Sequence, residues 1–226
     1  MKFDYLTGVN RMNHVAKVAA LAAMLSVSAA TTVHAEDWEV RLRAIYLAPA
    51  NDSDAYAPLR IPADAIHIND KWLPDLDAEY FFTPHWSTEL VLTYPQKQTV
   101  TLEHSALGGP VDIGSFKHLP PTLTGKYNFL PDRAFQPYIG AGLNVTWIMD
   151  VNLQVPTVGR LTLDRTSIGA AAQGGFDYRI GKHWYLNADA KWLMLRSDVK
   201  FNGGKISQAR LDPFLVGIGV GYRFGG

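Results

Sequence analysis

The segment Trp38–Ala48, WEVRLRAIYLA, sets Glu39, Arg41 and Arg43 against Trp38, Val40, Leu42, Ala44 and Tyr46. Successive side chains of an extended chain leave on opposite faces, so as a strand this segment is charged on one side and apolar on the other. The pattern recurs along the chain. WLPDLDAEYFF carries Asp75, Asp77 and Glu79 on its polar face, WSTELVLTY carries Ser87, Glu89 and Thr93, and HLPPTLTGKYNF carries Thr122, Thr124, Lys126 and Asn128. FQPYIGAGLNVTW offers Gly140, Gly142 and Asn144 there, SIGAAAQGGFDYRI offers Gln173, Asp177 and Arg179, and WYLNADAKWLML offers Asn187, Asp189 and Lys191. FLVGIGVGYRF closes the series with Gly217, Gly219, Gly221 and Arg223 opposite an apolar row.

These segments predict eight strands. Their connections are tight near Thr83–Pro84, 130–134 and 180–183, and long and polar over 50–71, 95–117, 149–164 and 197–211. Tight and long alternate strictly, as an antiparallel up-and-down barrel with all tight turns on one rim requires. After residue 35 no run approaches 18 consecutive apolar residues, which excludes a membrane-spanning helix. A closed barrel remains able to span, since it pairs every backbone polar group internally. Aromatic residues gather at the strand ends (Trp38, Trp72, Tyr80, Trp86, Tyr127, Trp184, Tyr222), where interfacial girdles belong.

A soluble lipocalin-like barrel shares the alternation but turns its apolar face inward. Two features favour the inverted arrangement. Gly and Ala crowd the polar face, as the cramped interior of a small barrel needs, and the apolar face carries no mid-strand charge. The lumen then holds Glu39, Arg41, Arg43, Asp75, Asp77, Glu79, Glu89, Lys126, Asp177, Arg179, Asp189 and Lys191, where opposite charges neutralise one another. Towards the long-loop ends apolar side chains interrupt that face: Val91 after Glu89, Ile148, and Leu193 and Leu195 after Lys191. Ile168 joins them if a bulge turns it inward. They form either an apolar path in the upper lumen or a core beneath the loops.

Composition removes other classes. Basic and acidic residues balance at 21 each, which argues against nucleic-acid binding, and the absence of cysteine excludes disulfides, thiolate metal sites and thiol nucleophiles. His67, His104 and His118 fit no metal-ligand spacing, so no metal or other cofactor is expected. Gly217-x-Gly219-x-Gly221 lies inside a strand and is no dinucleotide fingerprint. No GxSxG occurs to support a hydrolase. Lys17, the apolar run Val18–Ala30 and Val33-His34-Ala35 read as a secretory signal peptide over 1–35, cleaved after Ala35, with Met12 a plausible start; the barrel occupies 36–226.

The segments FKHLPPTLTGKYNF, FQPYIGAGLNVT, SIGAAAQGGFDY and RLDPFLVGIGVGYRF resemble, in order, those of the outer membrane protein W family, which includes alkane importers of hydrocarbon-degrading bacteria. The resemblance implies an eight-stranded barrel in the outer membrane of a Gram-negative bacterium, bathed in lipid and lipopolysaccharide. Its extracellular half would enclose an apolar channel for small hydrophobic permeants. Members usually end on the aromatic that the outer-membrane assembly machinery reads, whereas here Gly225 and Gly226 follow Phe224. Passive uptake of hydrophobic molecules is the expected function and no enzyme is expected. The alternative is a structural or receptor barrel for phage or bacteriocin, followed by a soluble lipid carrier and an outer-membrane lipase.

Overall fold

The computed structural model describes residues 38–57, 61–103, 110–156 and 159–224. The leader expected over 1–35, His104, and Gly225 with Gly226 lie outside the described residues. Fifteen strands appear among the described residues: β1 (Trp38–Ala48), β2 (Asp52–Ser53), β3 (Ile66–Ile68), β4 (Lys71–Phe81), β5 (Trp86–Leu92), β6 (Gln96–Leu102), β7 (Val111–Leu119), β8 (Thr122–Asn128), β9 (Phe135–Val155), β10 (Gly159–Leu163), β11 (Thr166–Arg179), β12 (Trp184–Leu193), β13 (Arg196–Phe201), β14 (Gly204–Arg210) and β15 (Phe214–Arg223).

Eight of them close a ring in the order β1-β4-β5-β8-β9-β11-β12-β15, and antiparallel pairing of β15 with β1 from Glu39↔Arg223 to Ala48↔Phe214 completes it. The predicted tight turns join β4 to β5, β8 to β9 and β11 to β12 at the lower end. The long connections differ from expectation. Those read as polar loops contain β2, β3, β6, β7, β10, β13 and β14, which build an upper tier on the barrel. Its ladder runs β3-β6-β7-β9-β10-β13-β14-β2, with the 21-residue β9 shared between both tiers. The ends β2 and β3 meet through Ser53, whose carbonyl accepts from Asp64 N–H at 2.9 Å and whose hydroxyl accepts from Ile66 N–H at 3.3 Å.

Alternation dictates what faces outward. Leu42, Leu76, Ile139, Leu143, Val216 and Ile218 stand exposed on the wall, forming an apolar belt far larger than a water-soluble monomer tolerates. Beneath it the rings of Trp38, Tyr80 and Phe82 follow one another at 5.1 and 5.0 Å, and Trp86, Tyr127 and Phe129 at 4.9 and 5.2 Å. Tyr46 and Trp72 meet at 5.4 Å on the opposite rim. Such tilted and edge-on pairs suit amphipathic rings at a membrane boundary.

Inside, the ring is narrow enough that some positions accept only glycine. A Cβ on Gly142 would collide with the Leu123 carbonyl oxygen and lie 2.6 Å from Thr124 Cα, both backbone atoms that cannot swing away. Gly142→Ala is therefore expected to destabilise the barrel by about 1–3 kcal/mol, the usual cost of overpacking. Urea titration of the protein refolded into lipid checks this; an unchanged midpoint would show that the wall gives way there.

Candidate functional site

The lower lumen is filled by charge. Three glutamates fall in one cross-strand row, because β1 pairs with β4 at Glu39↔Glu79 and β4 with β5 at Glu79↔Glu89. Like charges directly opposite repel, so the row needs cations within it. Arg41 supplies one. Its guanidinium lies 3.4 Å from Glu39, 2.5 Å from Glu79, 2.6 Å from Glu89, 2.8 Å from Asp77 and 3.5 Å from Asp177. Arg43, two residues along the same face, binds Asp75 through Nε at 3.0 Å and Nη2 at 2.7 Å, and reaches Asp77 at 3.0 Å. Lys126 adds contacts to Glu79 at 2.6 Å and Glu89 at 3.3 Å, and Lys191 one to Glu89 at 2.8 Å. All of these side chains are buried.

At the lower mouth Arg223 donates twice to Glu39 Oε2, at 2.9 and 2.7 Å, with its guanidinium against the Phe81 ring at 4.2 Å and the Tyr185 ring at 4.4 Å. Counting Arg223, the cluster has five cations (Arg41, Arg43, Lys126, Lys191, Arg223) for seven carboxylates (Glu39, Asp75, Asp77, Glu79, Glu89, Asp177, Asp189). Neutral donors meet the surplus. Tyr138 O–H donates to Asp189 at 3.0 Å, Asn187 Nδ2 donates to Asp177 at 2.8 Å, and the Ser87 hydroxyl donates to Glu79. Ion pairs and hydrogen bonds together satisfy charges that burial alone would make prohibitive.

Above this layer the same inward rows become apolar. On β1, Arg43 gives way to Ile45 and Leu47; on β4, Asp75 gives way to Leu73; on β5, Glu89 to Val91; on β9, Thr146 to Ile148; and on β12, Lys191 to Leu193, followed by Leu195. A cavity of about 30 Å³ sits at the change, walled by Ile45, Leu47, Leu73, Val91, Leu193 and Leu215 and floored by Asp75, Asp189 and Lys191. The upper tier continues it with a packed core of Ile68, Val100, Leu102, Ile113, Phe116, Leu153, Val155, Leu161, Val199 and Leu211, which leaves a cavity of about 20 Å³.

Two expected lumen residues are elsewhere. Ile168 is 69% exposed on the outer wall, because β9 and β11 pair in unbroken register from Thr166↔Trp147 to Tyr178↔Phe135 and no bulge turns it. Arg179 has the inward parity but ends β11, past the last buried position Asp177, and is exposed at the lower rim. His67 Nδ1 lies 3.2 Å from Asn51 Nδ2 and His118 is buried beside Gln98; among the described residues no group of three or more acidic or histidine side chains could hold a metal ion. The strand β7 that bears His118 lies in the upper tier. Burial, with the Lys71 ammonium nearby, pushes its imidazole down to about 4, so it stays neutral at ordinary pH.

Sequence reasoning missed Arg223 as a member of the cluster, and missed the inward rows Ile45–Leu47 and Gln96–Gln98. For Ile45 and Leu47 the signal was present, since they continue the period-two parity of Glu39, Arg41 and Arg43 past the last charge; Gln96 and Gln98 open a separate strand after the break at 93–95, and the inward parity of β5 does not carry over to them.

The comparisons agree with this architecture. A family model described as the OmpW family matches residues 34–224. Outer-membrane protein y4mB of Sinorhizobium fredii is 36% identical over 194 residues, 83% of this chain and 80% of that one. Outer membrane protein W of Vibrio cholerae is 30% identical, covering 92% of this chain and 98% of its own. The crystal structure of the outer membrane protein OprG from Pseudomonas aeruginosa superposes with a TM-score of 0.70 at 25% identity, covering 84% of this chain and 97% of that one. With its closed eight-stranded wall, apolar belt and charged lumen, the chain belongs to the OmpW family of outer-membrane β-barrels.

Proposed function

We propose that this barrel takes up small hydrophobic molecules passively, from the extracellular side into its upper chamber and from there sideways into the bilayer. The reading rests on the change of lining within one continuous lumen, from Ile45, Leu47, Leu73, Val91, Ile148, Leu193 and Leu195 above to the charged cluster below. An apolar solute gains about 0.8 kcal/mol per CH₂ on leaving water, and that gain ends where the wall carries charge. The way down is filled by Arg41, Arg43 and their partners. The wall offers a different route. Pairing of β4 with β5 begins only at Leu76↔Leu92, so Lys71–Asp75 has no ladder partner on that side among the described residues, and Pro74 has no N–H to give one. Leu73, Asp75, Thr93 and Gln96 bring the lower cavity up to this seam. Cavities of about 20 and 30 Å³ hold one or two waters, so passage requires the chamber to widen.

The test is uptake of a labelled alkane by cells carrying Val91→Asp or Leu193→Asp at equal surface abundance. A charge on the apolar wall should lower uptake at least about fivefold, the equivalent of one unsatisfied buried polar group. Unchanged uptake in both variants would show that the apolar residues are packing and not a path. A purely structural or receptor barrel predicts no protein-dependent uptake even by the wild type.

A further inference from the structure

The upper chamber is mostly apolar, and two of its polar residues adjoin. Gln98 and His118 are both fully buried, and Gln98 Nε2 lies 3.4 Å from His118 Nε2. Among the described residues, His118 Nδ1 and Gln98 Oε1 have no hydrogen-bond partner. Buried polar atoms are nearly always paired, so two orphans side by side call for an explanation. The chemistry of what is missing does not depend on how the amide and the ring are oriented. With the amide nitrogen donating one N–H to Nε2, the free groups are an Nδ1–H donor, the second amide N–H and an Oε1 acceptor. With the amide turned over, Oε1 accepts from Nε2–H, and the free groups are an Nδ1 acceptor and two amide N–H donors. At least one donor and one acceptor remain in either case.

The pair also stands on the path. Along β6, Gln98 lies between Gln96, which lines the lower cavity, and Val100, which lines the upper; next to it, His118 lies between Phe116 of the upper cavity and Pro120 of the lower. Ser197 lines the upper cavity, and its buried Oγ likewise has no partner among the described residues. A hydroxyl supplies one donor and one acceptor together. We propose that Gln98 and His118 form a selectivity station for hydrophobic molecules bearing a single hydroxyl, aliphatic or aromatic alcohols, in preference to the bare hydrocarbons of the same shape. This rests on the uptake reading above.

The experiment compares protein-dependent uptake of naphthalene and 1-naphthol, bodies of one shape differing by one hydroxyl, in cells with and without the protein. The wild type should take up 1-naphthol at least as fast as naphthalene, although the hydroxyl disfavours transfer into an apolar channel. In Gln98→Leu/His118→Leu the ratio of 1-naphthol to naphthalene uptake should fall at least about fivefold, since the hydroxyl would then enter without partners. Surface abundance and heat-modifiable gel migration control for folding. A ratio unchanged by the double substitution overturns the proposal, because the pair would then be structural or satisfied by water. Wild-type uptake of naphthalene alone overturns it while leaving the hydrophobic channel standing, and it decides the matter even if the double variant fails to reach the surface. Absence of protein-dependent uptake of either compound overturns both readings.

Discussion

Arg41→Leu is expected to destabilise the folded barrel by about 3–5 kcal/mol, the cost of stripping one partner from a buried ion pair. Among the described residues, the guanidinium is the one cation within 4 Å of Glu39, Glu79 and Glu89 together, the three carboxylates that the register of β1, β4 and β5 lays side by side. Leucine fills part of the volume and returns none of the charge. Urea titration of protein refolded into lipid vesicles, read by gel migration and tryptophan fluorescence, measures the loss. Adding Glu89→Leu to Arg41→Leu should recover part of it, with a coupling of about 0.5–3 kcal/mol as for residues of one network. A cost below about 1 kcal/mol for Arg41→Leu would mean that the lumen is wet enough to screen its charges.

The second large effect concerns the outer wall. Ile218 sits mid-strand on β15, 64% exposed and paired with Ala44 and Ala188. In lipid, Ile218→Arg should cost about 2–4 kcal/mol, whereas Ile180→Arg, at the exposed β11–β12 turn, should cost about 0–1 kcal/mol, because the penalty for arginine falls from the bilayer midplane to the interface. A barrel whose outer face met water would tolerate both equally. Equal small effects would overturn the inside-out assignment.

The membrane barrel was legible because its two solvents differ so sharply. Period two with charge on one face and oil on the other assigned Glu39, Arg41, Asp77, Glu89, Lys126 and Asp189 to the lumen, and all are buried there. The upper tier was not legible for the converse reason. In β6 the faces are Gln96, Gln98, Val100 and Leu102 against Lys97, Thr99 and Thr101, and so little contrast reads as polar loop. A local signal was available at Asn202-Gly203, whose backbone φ values of 48° and 82° make the tight turn between β13 and β14; such a dipeptide between alternating segments marks a hairpin. Ile168 and Arg179 went wrong at strand ends. There alternation still gives parity, but the surrounding register decides what parity means: an outward position stays on the wall without a bulge, and an inward one beyond the rim has no lumen to enter.

The Arg223 clamp and the arginine layers above it are held by strands of the wall itself, not by a hinged plug that a ligand or voltage can swing aside. A bacterium can therefore raise the copy number of such a barrel without making its envelope leaky. On the uptake proposed above, more copies would admit more oil-soluble solute, while the filled lower lumen keeps ions and water-soluble antibiotics out. Tolerance to polar drugs and the growth advantage on hydrophobic carbon sources should thus vary independently when expression is titrated.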